Sequence, residues 1–494
     1  MKKKENLKGT LAFAFITILC LSMSSVYTLK VNAQQSSGIG NTTLTPSLLW
    51  KFTPHWSNLI SPFVADGHVY FISNEYNEAN TTLYCLDAYT GTQIWNYNGS
   101  DISFTVANGC IYVGELSNVV CLNAANGVEI WNFSYETEFA TPVVDGGIVY
   151  VGSYGGSLYA FNASTGAQIW IYTGPKETHF GSSSLAVIAG YVYAISNIET
   201  ETGNSMFGSY SSVYAIRAST GKELWNYTTQ GWFNSLIAAG NNVYISCWYY
   251  NATDLLNNVG VYDAGGVLAF EAQNGQLIWN YTAPSFVVSS FAFAGGTVYL
   301  TSRSGSLYAL GASDGTVIWN YTAGLGLGSP LPVNGYLYVG SSAGVYCFDA
   351  FNGKVIWNFV ASDFADSSAT DPTFANGVIY VGWNGPQFFL PITQHNFYAL
   401  DGLSGTKLWN NTLGYTVASY PVVVNSIVYI AANSVTGSPD FPRNGAVLAL
   451  NSTSEKATTS SPLPTVPEFP VLILLPLSLA FLSIAVVLRY RKNR

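Results

Sequence analysis

Few side chains in this sequence have the type and spacing that catalysis or metal binding requires. The four histidines, His55, His68, His179 and His395, are scattered along the chain, and none lies in a His-Glu-x-x-His or similar arrangement of metal ligands. No phosphate-binding Walker loop occurs either. We therefore expect the histidines to be loop residues, and the sequence identifies no catalytic, cofactor-binding or metal-binding residue.

An acidic stretch is the best candidate for a cation site, because Ca²⁺ prefers oxygen ligands. It contains Asp363, Asp366 and Asp371, which lack both the spacing and the central glycine of an EF-hand loop. The sequence therefore predicts a solvated turn at this place.

The cysteines do not form an evident disulfide framework. Three of them, Cys85, Cys121 and Cys347, occupy a repeat position that is elsewhere alanine, which favours a packing role. Cys110 and Cys121 fall on adjoining predicted strands, and whether they pair stays open. With Cys247, five cysteines remain after a predicted signal segment, and this odd number prevents complete intramolecular pairing.

A repeated unit dominates the middle of the chain. In each copy a glycine stands four residues before a tryptophan, and the tryptophans recur at a mean interval of about 45 residues. The glycine supplies the positive φ of a tight turn, and the tryptophan presents a large ring to the neighbouring unit, where its N–H requires a buried acceptor. The pairs are Gly91 and Trp95, Gly127 and Trp131, Gly166 and Trp170, Gly221 and Trp225, Gly275 and Trp279, Gly315 and Trp319, Gly353 and Trp357, and Gly405 and Trp409, preceded by Trp50.

Each period contains four short apolar segments separated by turn residues, which predicts four antiparallel strands. Four strands per period of about 40–45 residues are typical of a β-propeller blade. Trp50 lies on a fourth strand without a preceding three, whereas the chain after Tyr420 supplies three strands without a fourth. The sequence therefore predicts an all-β propeller of nine blades whose ring is closed by the N-terminal strand. Eight blades with one irregular unit is the alternative.

The repeat resembles the tryptophan-docking motif of pyrroloquinoline-quinone (PQQ)-type propellers over residues 46–451. That motif has Ala, then Asp two residues later, then Thr-Gly, then Trp; the Asp is kept at Asp87, Asp349 and Asp401. The resemblance implies the fold, and it does not decide the function. Some members of the family are quinoprotein dehydrogenases with PQQ, Ca²⁺ and an adjacent Cys-Cys pair. Others, including the β-barrel assembly scaffold lipoproteins, bind no cofactor.

This chain has no Cys-Cys dipeptide and no Cys-x-x-Cys-His haem site. We therefore expect it to resemble the non-enzymatic branch and to bind no cofactor. PQQ and calcium are expected only under the alternative that the chain is a dehydrogenase.

The two ends of the chain predict export and a membrane anchor. Residues 1–33 have a basic start, an apolar run and a small-residue cleavage site, which predicts a signal peptide before a short leader at 34–45. A Ser/Thr/Pro-rich spacer at 452–470 precedes an uncharged apolar run at 471–488, predicted to be a transmembrane helix, and a basic cytoplasmic tail at 489–494. This end of the chain, with its Pro-Glu-Phe sequence at 467–469, apolar run and basic tail, resembles the sorting tails of archaeal surface proteins, which archaeosortase-type transpeptidases process. A plain anchor is the alternative.

The charge of the body argues against one class of partner. Only 9% of the residues are charged, compared with about 25% in an average soluble domain. Residues 34–466 carry nine basic and 25 acidic side chains, a net charge of −16. Such an acidic body is not expected to bind nucleic acid.

Four connections are longer than a minimal blade requires, and all lie between the second and third strands of their blades. They span residues 197–212, 248–266, 383–396 and 431–446. In propellers these loops emerge on the same face as the crossings between blades, which is the usual ligand face. Exposed aromatic residues mark binding surfaces, and the candidate contact residues are Trp248, Tyr249, Tyr250, Phe388, Phe389 and Arg443.

Asn-x-Ser/Thr sequons are numerous, and five of them directly follow a docking tryptophan. Because side chains on a strand alternate between faces, an asparagine next to an inward tryptophan should point outward. We therefore expect glycans on the outer strands, at Asn132, Asn226, Asn280, Asn320 and Asn410.

These observations predict an exported, membrane-anchored propeller with an extracellular ectodomain at the cell surface. We expect it to act as a binding or scaffolding module for an extracellular protein or glycan. A PQQ-dependent dehydrogenase of an extracellular alcohol or sugar is the first alternative, and a structural cell-wall component is the second. The sequence determines neither the ligand nor the oligomeric state.

Overall fold

The computed structural model describes residues 46–452, except for 55–57, 75–79, 181–184, 199–209, 250–263, 284–286, 303, 324–325, 362–367, 385–394, 414, 418–419 and 434–444. The regular secondary structure of this part consists of β-strands, which form nine antiparallel sheets. The predicted nine-bladed all-β propeller is confirmed, and the eight-bladed alternative is wrong. The predicted helix at 471–488 lies outside the described residues. Among the residues that are described, no helix is long and apolar enough to cross a membrane.

The strands follow one order along the chain, and each blade is described from its first strand to its fourth. The chain begins with β1 (Leu48–Phe52). Blade 1 has β2 (Asn58–Leu59) and β3 (Phe63–Ala65), which both pair with β4 (His68–Asn74), then β5 (Asn80–Asp87) and β6 (Gln93–Ser100). Blade 2 has β7 (Ser103–Ala107), β8 (Cys110–Gly114), β9 (Asn118–Asn123) and β10 (Glu129–Ser134). Blade 3 has β11 (Val143–Asp145), β12 (Ile148–Gly152), β13 (Ser157–Asn162) and β14 (Gln168–Thr173).

Blades 4 to 6 keep the same pattern. Blade 4 has β15 (Leu185–Ile188), β16 (Tyr191–Ile198), β17 (Tyr210–Arg217) and β18 (Glu223–Gln230). Blade 5 has β19 (Trp232–Ala239), β20 (Asn242–Tyr249), β21 (Ala264–Glu271) and β22 (Leu277–Ala283). Blade 6 has β23 (Val287–Ala294), β24 (Thr297–Ser302), β25 (Ser306–Gly311) and β26 (Val317–Thr322).

Blades 7 and 8 are followed by a blade built from both ends of the propeller sequence. Blade 7 has β27 (Leu331–Val333), β28 (Tyr336–Ser341), β29 (Gly344–Asp349) and β30 (Val355–Phe359). Blade 8 has β31 (Ser368–Ala369) and β32 (Thr373–Ala375), then β33 (Val378–Asn384), β34 (His395–Asp401) and β35 (Lys407–Leu413). Blade 9 has β36 (Thr416–Val417) and β37 (Val422–Val424), then β38 (Ile427–Asn433), β39 (Ala446–Asn451) and, as its fourth strand, β1.

The N-terminal strand closes the ring as predicted. β1 pairs antiparallel with β39, so that Trp50 lies opposite Ala449 and Phe52 lies opposite Val447. The first strands of blades 9 and 1, β37 and β3, also contact each other. Because the last blade takes its fourth strand from the beginning of the chain, the ring has no open edge between its first and last blades.

The two faces of the ring differ in their connections, because the strands of each blade are antiparallel. We call "turn face" the side that carries the turns between first and second strands and between third and fourth strands. The "loop face" carries the connections between second and third strands and the crossings from blade to blade.

One backbone hydrogen bond recurs on the turn face of every blade. In blade 1, Ala88 N donates to Gly67 O at 2.9 Å, and in blade 9 Ser452 N donates to Ser426 O at 2.8 Å. These bonds join the two turns of each blade, and the last one places residue 452 on the turn face. The other donors are Ala124, Ala163, Ala218, Ala272, Ala312, Ala350 and Gly402.

Candidate functional site

The docking tryptophans connect each blade to the next. In eight blades the Trp Nε1 donates to a buried carbonyl oxygen of the following blade at 2.8 to 3.0 Å. Trp131, for example, donates to Ala163 O at 2.9 Å. The acceptors, starting from Trp50, are Ala88, Ala124, Ala163, Ala218, Ala272, Ala312, Ala350 and Gly402. Trp409 is likewise buried, and it packs against β38 and β39 of blade 9.

Each motif glycine lies beneath the tryptophan of the preceding blade, not beneath its own. A β-carbon built at Gly166 would come within 2.6 Å of Cδ2 of Trp131. Gly166 also has a φ of 69°, a conformation that favours glycine. The glycine therefore serves both the turn and the close approach of the neighbouring ring.

A tyrosine on the second strand is a further part of this docking site, and the tryptophan spacing alone does not reveal it. Tyr244 OH and Trp279 Nε1 both donate to Ala312 O, at 3.1 and 3.0 Å. The tyrosine hydroxyl makes the same bond, at 3.0 to 3.3 Å, from Tyr70, Tyr112, Tyr193, Tyr244, Tyr299, Tyr338 and Tyr429. The recurring Val-Tyr, Ile-Tyr or Leu-Tyr pair of the second strands was the signal that could have identified these residues.

The small residue between tyrosine and tryptophan allows this arrangement. Tyr244 lies opposite Ala269 on the third strand, which in turn lies opposite Trp279. The two rings approach to 5.9 Å between centroids across the alanine. Cys85 and Cys347 occupy the same position, are fully buried, and burial raises the pKa of each thiol to about 12. These cysteines therefore pack as small neutral side chains.

Cys110 and Cys121, whose pairing the sequence left open, are not bonded to each other in the structure. All five described cysteines are free thiols. Cys121 and Cys247 are buried, whereas Cys110 at the start of β8 is partly exposed.

The strands that flank the four long connections are the second and third strands of their blades, as predicted, and the ends of these strands lie on the loop face. The flanking strand pairs are β16 and β17, β20 and β21, β33 and β34, and β38 and β39. Trp248 and Tyr249 end β20 and are partly buried. Tyr250, Phe388, Phe389 and Arg443 lie outside the described residues.

Asparagines at the base of three long connections hold them to the next blade. Asn384 Nδ2 donates to Val417 O at 3.0 Å, and Val417 N donates to Asn384 Oδ1 at 2.9 Å. Asn197 makes the same pair of bonds with the backbone of Phe233, at 3.2 and 3.3 Å. Asn433 Oδ1 accepts from Leu59 N at 2.9 Å. In the first two cases the amide imitates a neighbouring strand, because it both donates to and accepts from one residue.

Two acidic residues of the described part have structural contacts. Asp371 Oδ1 accepts a hydrogen bond from Ser329 N at 2.8 Å, which links two successive blade crossings. Glu115 is only 5% exposed and accepts from Tyr97 OH, and burial raises the pKa of its carboxyl. Asp363 and Asp366 lie outside the described residues. No group of three His, Cys, Asp or Glu side chains that could hold a metal occurs where the chain is described.

Two histidines differ from the predicted loop placement. His68 begins β4 and His395 begins β34, so the expectation of a loop is wrong for both. Burial lowers the pKa of His395, whose side chain is fully enclosed. His179 lies in a crossing, where its Nδ1 is 2.5 Å from Tyr154 O. His55 lies outside the described residues.

Residues 340–344 match the Gly-x-Ser-x-Gly pattern of serine hydrolases, with Ser342 at the nucleophile position. They form the hairpin between β28 and β29, where Ser341 Oγ accepts from Ala343 N and Gly344 N at 3.1 and 3.0 Å. A nucleophile elbow joins a strand to a helix. This segment is therefore a tight turn.

The outer strands present their sequons to solvent. In β10 the side chains alternate, so that Trp131 is buried while Asn132 and Ser134 are exposed. Asn226, Asn280 and Asn320 are exposed in the same way, and Asn410 is partly buried. The asparagine and the hydroxyl residue of each of these sequons share one face of the strand.

The sequence profile of a known family matches this repeat. The sequence profile described as "Outer membrane protein assembly factor BamB" matches residues 79–235, 256–326 and 303–463. A crystal structure of BamB from Moraxella catarrhalis superposes with a TM-score of 0.44 at 15% identity, covering 73% of this chain and 96% of that one.

Among curated proteins, the dehydrogenase subunit of a quinone alcohol dehydrogenase from Gluconobacter oxydans is 26% identical over 171 residues, which is 34% of this chain and 19% of that protein. The serine/threonine-protein kinase AfsK of Streptomyces griseus is 27% identical over 179 residues, 32% of this chain and 20% of that protein. The chain thus spans about a fifth of the length of these relatives. Since the family profile matches most of the propeller, the chain belongs to the PQQ-type propeller family described as outer membrane protein assembly factor BamB.

Proposed function

We propose that this protein is an exported, membrane-anchored propeller of the cell surface that binds an extracellular protein or glycan through its loop face. The observation that carries the proposal is the placement of the long connections. Four blades have them between their second and third strands, and asparagines hold three of their bases to the following blade. A closed ring with extended loops on one side is suited to display a binding surface without moving parts.

The sequence features at both ends support the location. The predicted signal peptide at 1–33 directs export, and the apolar run at 471–488 with its basic end anchors the chain. Processing of the Pro-Glu-Phe tail with attachment of a lipid is the alternative form of anchoring. Both leave the propeller outside the membrane.

The test measures binding by the full chain. We would screen it on a glycan array and cross-link it on cells to biotinylated surface proteins. The same measurements would be made on a variant in which 250–263 is replaced by a short Gly-Ser linker. The matched control inserts the same linker between Gly146 and Gly147 on the turn face. We expect binding to be lost in the loop variant and kept in the control; equal binding by both variants, or no ligand for the unaltered chain, would contradict the proposal.

A second candidate, a PQQ-dependent dehydrogenase, is favoured by the similarity to the quinone alcohol dehydrogenase subunit. Its Ca²⁺ and quinone would need a set of acidic and amide donors and an adjacent cysteine pair. The residues present do not fit this requirement: the sequence has no Cys-Cys dipeptide, and the described side chains include no metal-binding group of His, Cys, Asp or Glu. Stoichiometric uptake of PQQ with Ca²⁺, together with dye reduction by an alcohol or sugar, would establish this candidate and overturn the first.

A further inference from the structure

The turns between third and fourth strands have the same length in eight blades and differ in the residue at their tips. The tip residue stands two positions before the motif glycine and is exposed in each of these blades. In blades 2 to 6 it is small or polar: Ala125, Ser164, Ser219, Gln273 and Ser313. In blades 1, 7 and 8 it is large and apolar: Tyr89 is 48% exposed, Phe351 is 76% exposed and Leu403 is 64% exposed.

These three tips lie on one part of the ring, because blades 7, 8, 9 and 1 follow one another and blade 9, whose fourth strand is β1, has no turn of this kind. We call Tyr89, Phe351 and Leu403 the tip patch. Exposed aliphatic residues next to the docking tryptophans, such as Leu49, Ile130 and Ile318, recur around the ring and mark no site. Large apolar residues at the turn tips, by contrast, occur only in blades 1, 7 and 8, and such a localised set marks an interaction site.

The tips are held in fixed positions by the aspartates of their own turns. Asp349 Oδ1 accepts from Phe351 N at 2.8 Å, and Asp401 Oδ1 accepts from Leu403 N at 3.1 Å. Asp87 does the same for Tyr89 N at 3.0 Å. Blades 1, 7 and 8, which have apolar tips, are the blades that keep the motif aspartate. Each tip residue therefore lies on a turn that is stabilised by a hydrogen bond to an aspartate side chain.

The chain leaves the ring beside this patch. Asn451 N donates to Ser47 O, and Ser452 N donates to Ser426 O on the turn face. The apolar run that begins at Val471 follows after residues 453–470. Fully extended, those 18 residues would reach at most about 60 Å, so the tether limits how far the turn face can move from an anchored run.

We propose that the tip patch rests in the headgroup region of the membrane that holds residues 471–488, so that the loop face is directed away from the cell. This rests on the membrane anchor of the proposed function. Aromatic and aliphatic side chains such as Tyr89, Phe351 and Leu403 suit the interface of a bilayer. The acidic turns around them make a neutral headgroup the matching surface, and not an anionic one.

The experiment uses the full chain reconstituted into phosphatidylcholine vesicles. A photoreactive benzoylphenylalanine would replace Tyr89, Phe351 or Leu403 in separate variants, and Ser164, Ser219 or Ser313 in matched controls at the same turn position of other blades. After illumination, mass spectrometry identifies what each position has captured. We expect lipid adducts at the three patch positions to exceed those at the control positions several-fold.

Flotation of the vesicles separates the two proposals. If the chain floats in carbonate but the patch and control positions capture lipid equally, the anchor stands and the membrane contact is refuted. If the patch captures a second copy of the chain instead, the patch is a self-association surface and the inference is wrong. If the chain does not float with the vesicles, the anchor and the membrane contact both fail.

Discussion

Trp50 Nε1 lies 2.9 Å from the carbonyl oxygen of Ala88 and donates a hydrogen bond to it. This bond joins the first strand of the chain, in blade 9, to the turn that ends the third strand of blade 1. Tyr429 OH, from blade 9, donates to the same oxygen at 3.1 Å. The closing blade is therefore attached to its neighbour by the same pair of donors that internal blades use.

The substitution Trp50→Ala should destabilise the ring as much as the same change at an internal blade. Removal of a buried tryptophan costs about 3–5 kcal/mol in free energy of unfolding. Trp170→Ala serves as the internal control, because Trp170 donates to Ala218 O at 2.8 Å in the same arrangement. Urea unfolding followed by circular dichroism measures both. A much smaller loss for Trp50→Ala would show that β1 does not close the ring in solution.

Gly166→Ala should cost more stability than Gly146→Ala, although both glycines have positive φ. The φ angles are 69° and 55°. A β-carbon at Gly146 meets no atom within 4 Å, whereas one at Gly166 would clash with the ring of Trp131. We expect about 1–2 kcal/mol for Gly146→Ala from backbone strain alone and a further loss of about 1–3 kcal/mol for Gly166→Ala from overpacking. Equal melting temperatures of the two variants would contradict the docking geometry.

The two donors to Ala312 O should show coupled effects. Tyr244→Phe alone should cost about 0.5–1.5 kcal/mol, since Trp279 still satisfies the carbonyl. Trp279→Phe leaves Tyr244 as the remaining donor. In the double variant the buried carbonyl loses both, so the loss should exceed the sum of the single losses by about 1 kcal/mol. A double-mutant cycle measured by urea unfolding tests this, and strictly additive losses would show that the two bonds do not share one acceptor.

Glu115→Gln should stabilise the protein at neutral pH. Burial raises the pKa of Glu115 in the folded state, so the folded protein favours the neutral carboxyl. The stability from this group is fully present below the unfolded pKa of about 4.3 and is lost as the pH rises through the folded value. Glutamine removes that loss while keeping an acceptor for Tyr97 OH.

We therefore expect a higher melting temperature than that of the unaltered protein at pH 7, and little difference at about pH 4. Glu136→Gln is the control, because Glu136 is exposed. A Glu115→Gln variant that is less stable at pH 7 would show that the ionised carboxylate is the favoured form.

Glycosylation of the outer strands should be visible one site at a time. Asn280→Gln, in protein made by the native host, should lower the mass by one glycan, because Asn280 and Thr282 are both exposed on β22. Asn358→Gln is the control, since Asn358 follows Trp357 in the same way but has no sequon. Intact-mass measurement decides the matter, and an unchanged mass after Asn280→Gln would exclude a glycan there.

The fold could be predicted from the sequence because the docking motif recurs along the chain. The constant separation of its glycine and tryptophan reveals the period of the repeat, and the additional Trp50 before the first complete copy reveals the closing strand. The pattern does not say which glycine a tryptophan covers. Trp131 packs on Gly166 of the next blade, and this choice depends on how blades stack and not on local spacing.

The missed parts of the site depend on contacts between blades. Tyr244 resembles any aromatic residue of a buried strand until its hydroxyl is seen on the same oxygen as Trp279. Asn384 precedes a long connection and could be assigned to a loop from sequence alone. Its bonds to the backbone of Val417 exist only because two blades meet there. The order of the predicted strands, by contrast, correctly assigned the four long connections to the interval between second and third strands.

The pairing of β1 with β39 has a consequence for biogenesis. The strand that emerges first during synthesis has its hydrogen-bonding partner at the far end of the propeller sequence. Until β39 has been delivered, both the edge of β1 and the edge of the unfinished blade stay open to other chains. A polypeptide that is truncated before residue 446 cannot form this pair. Only a chain that has been synthesised through β39 can therefore protect its own edges.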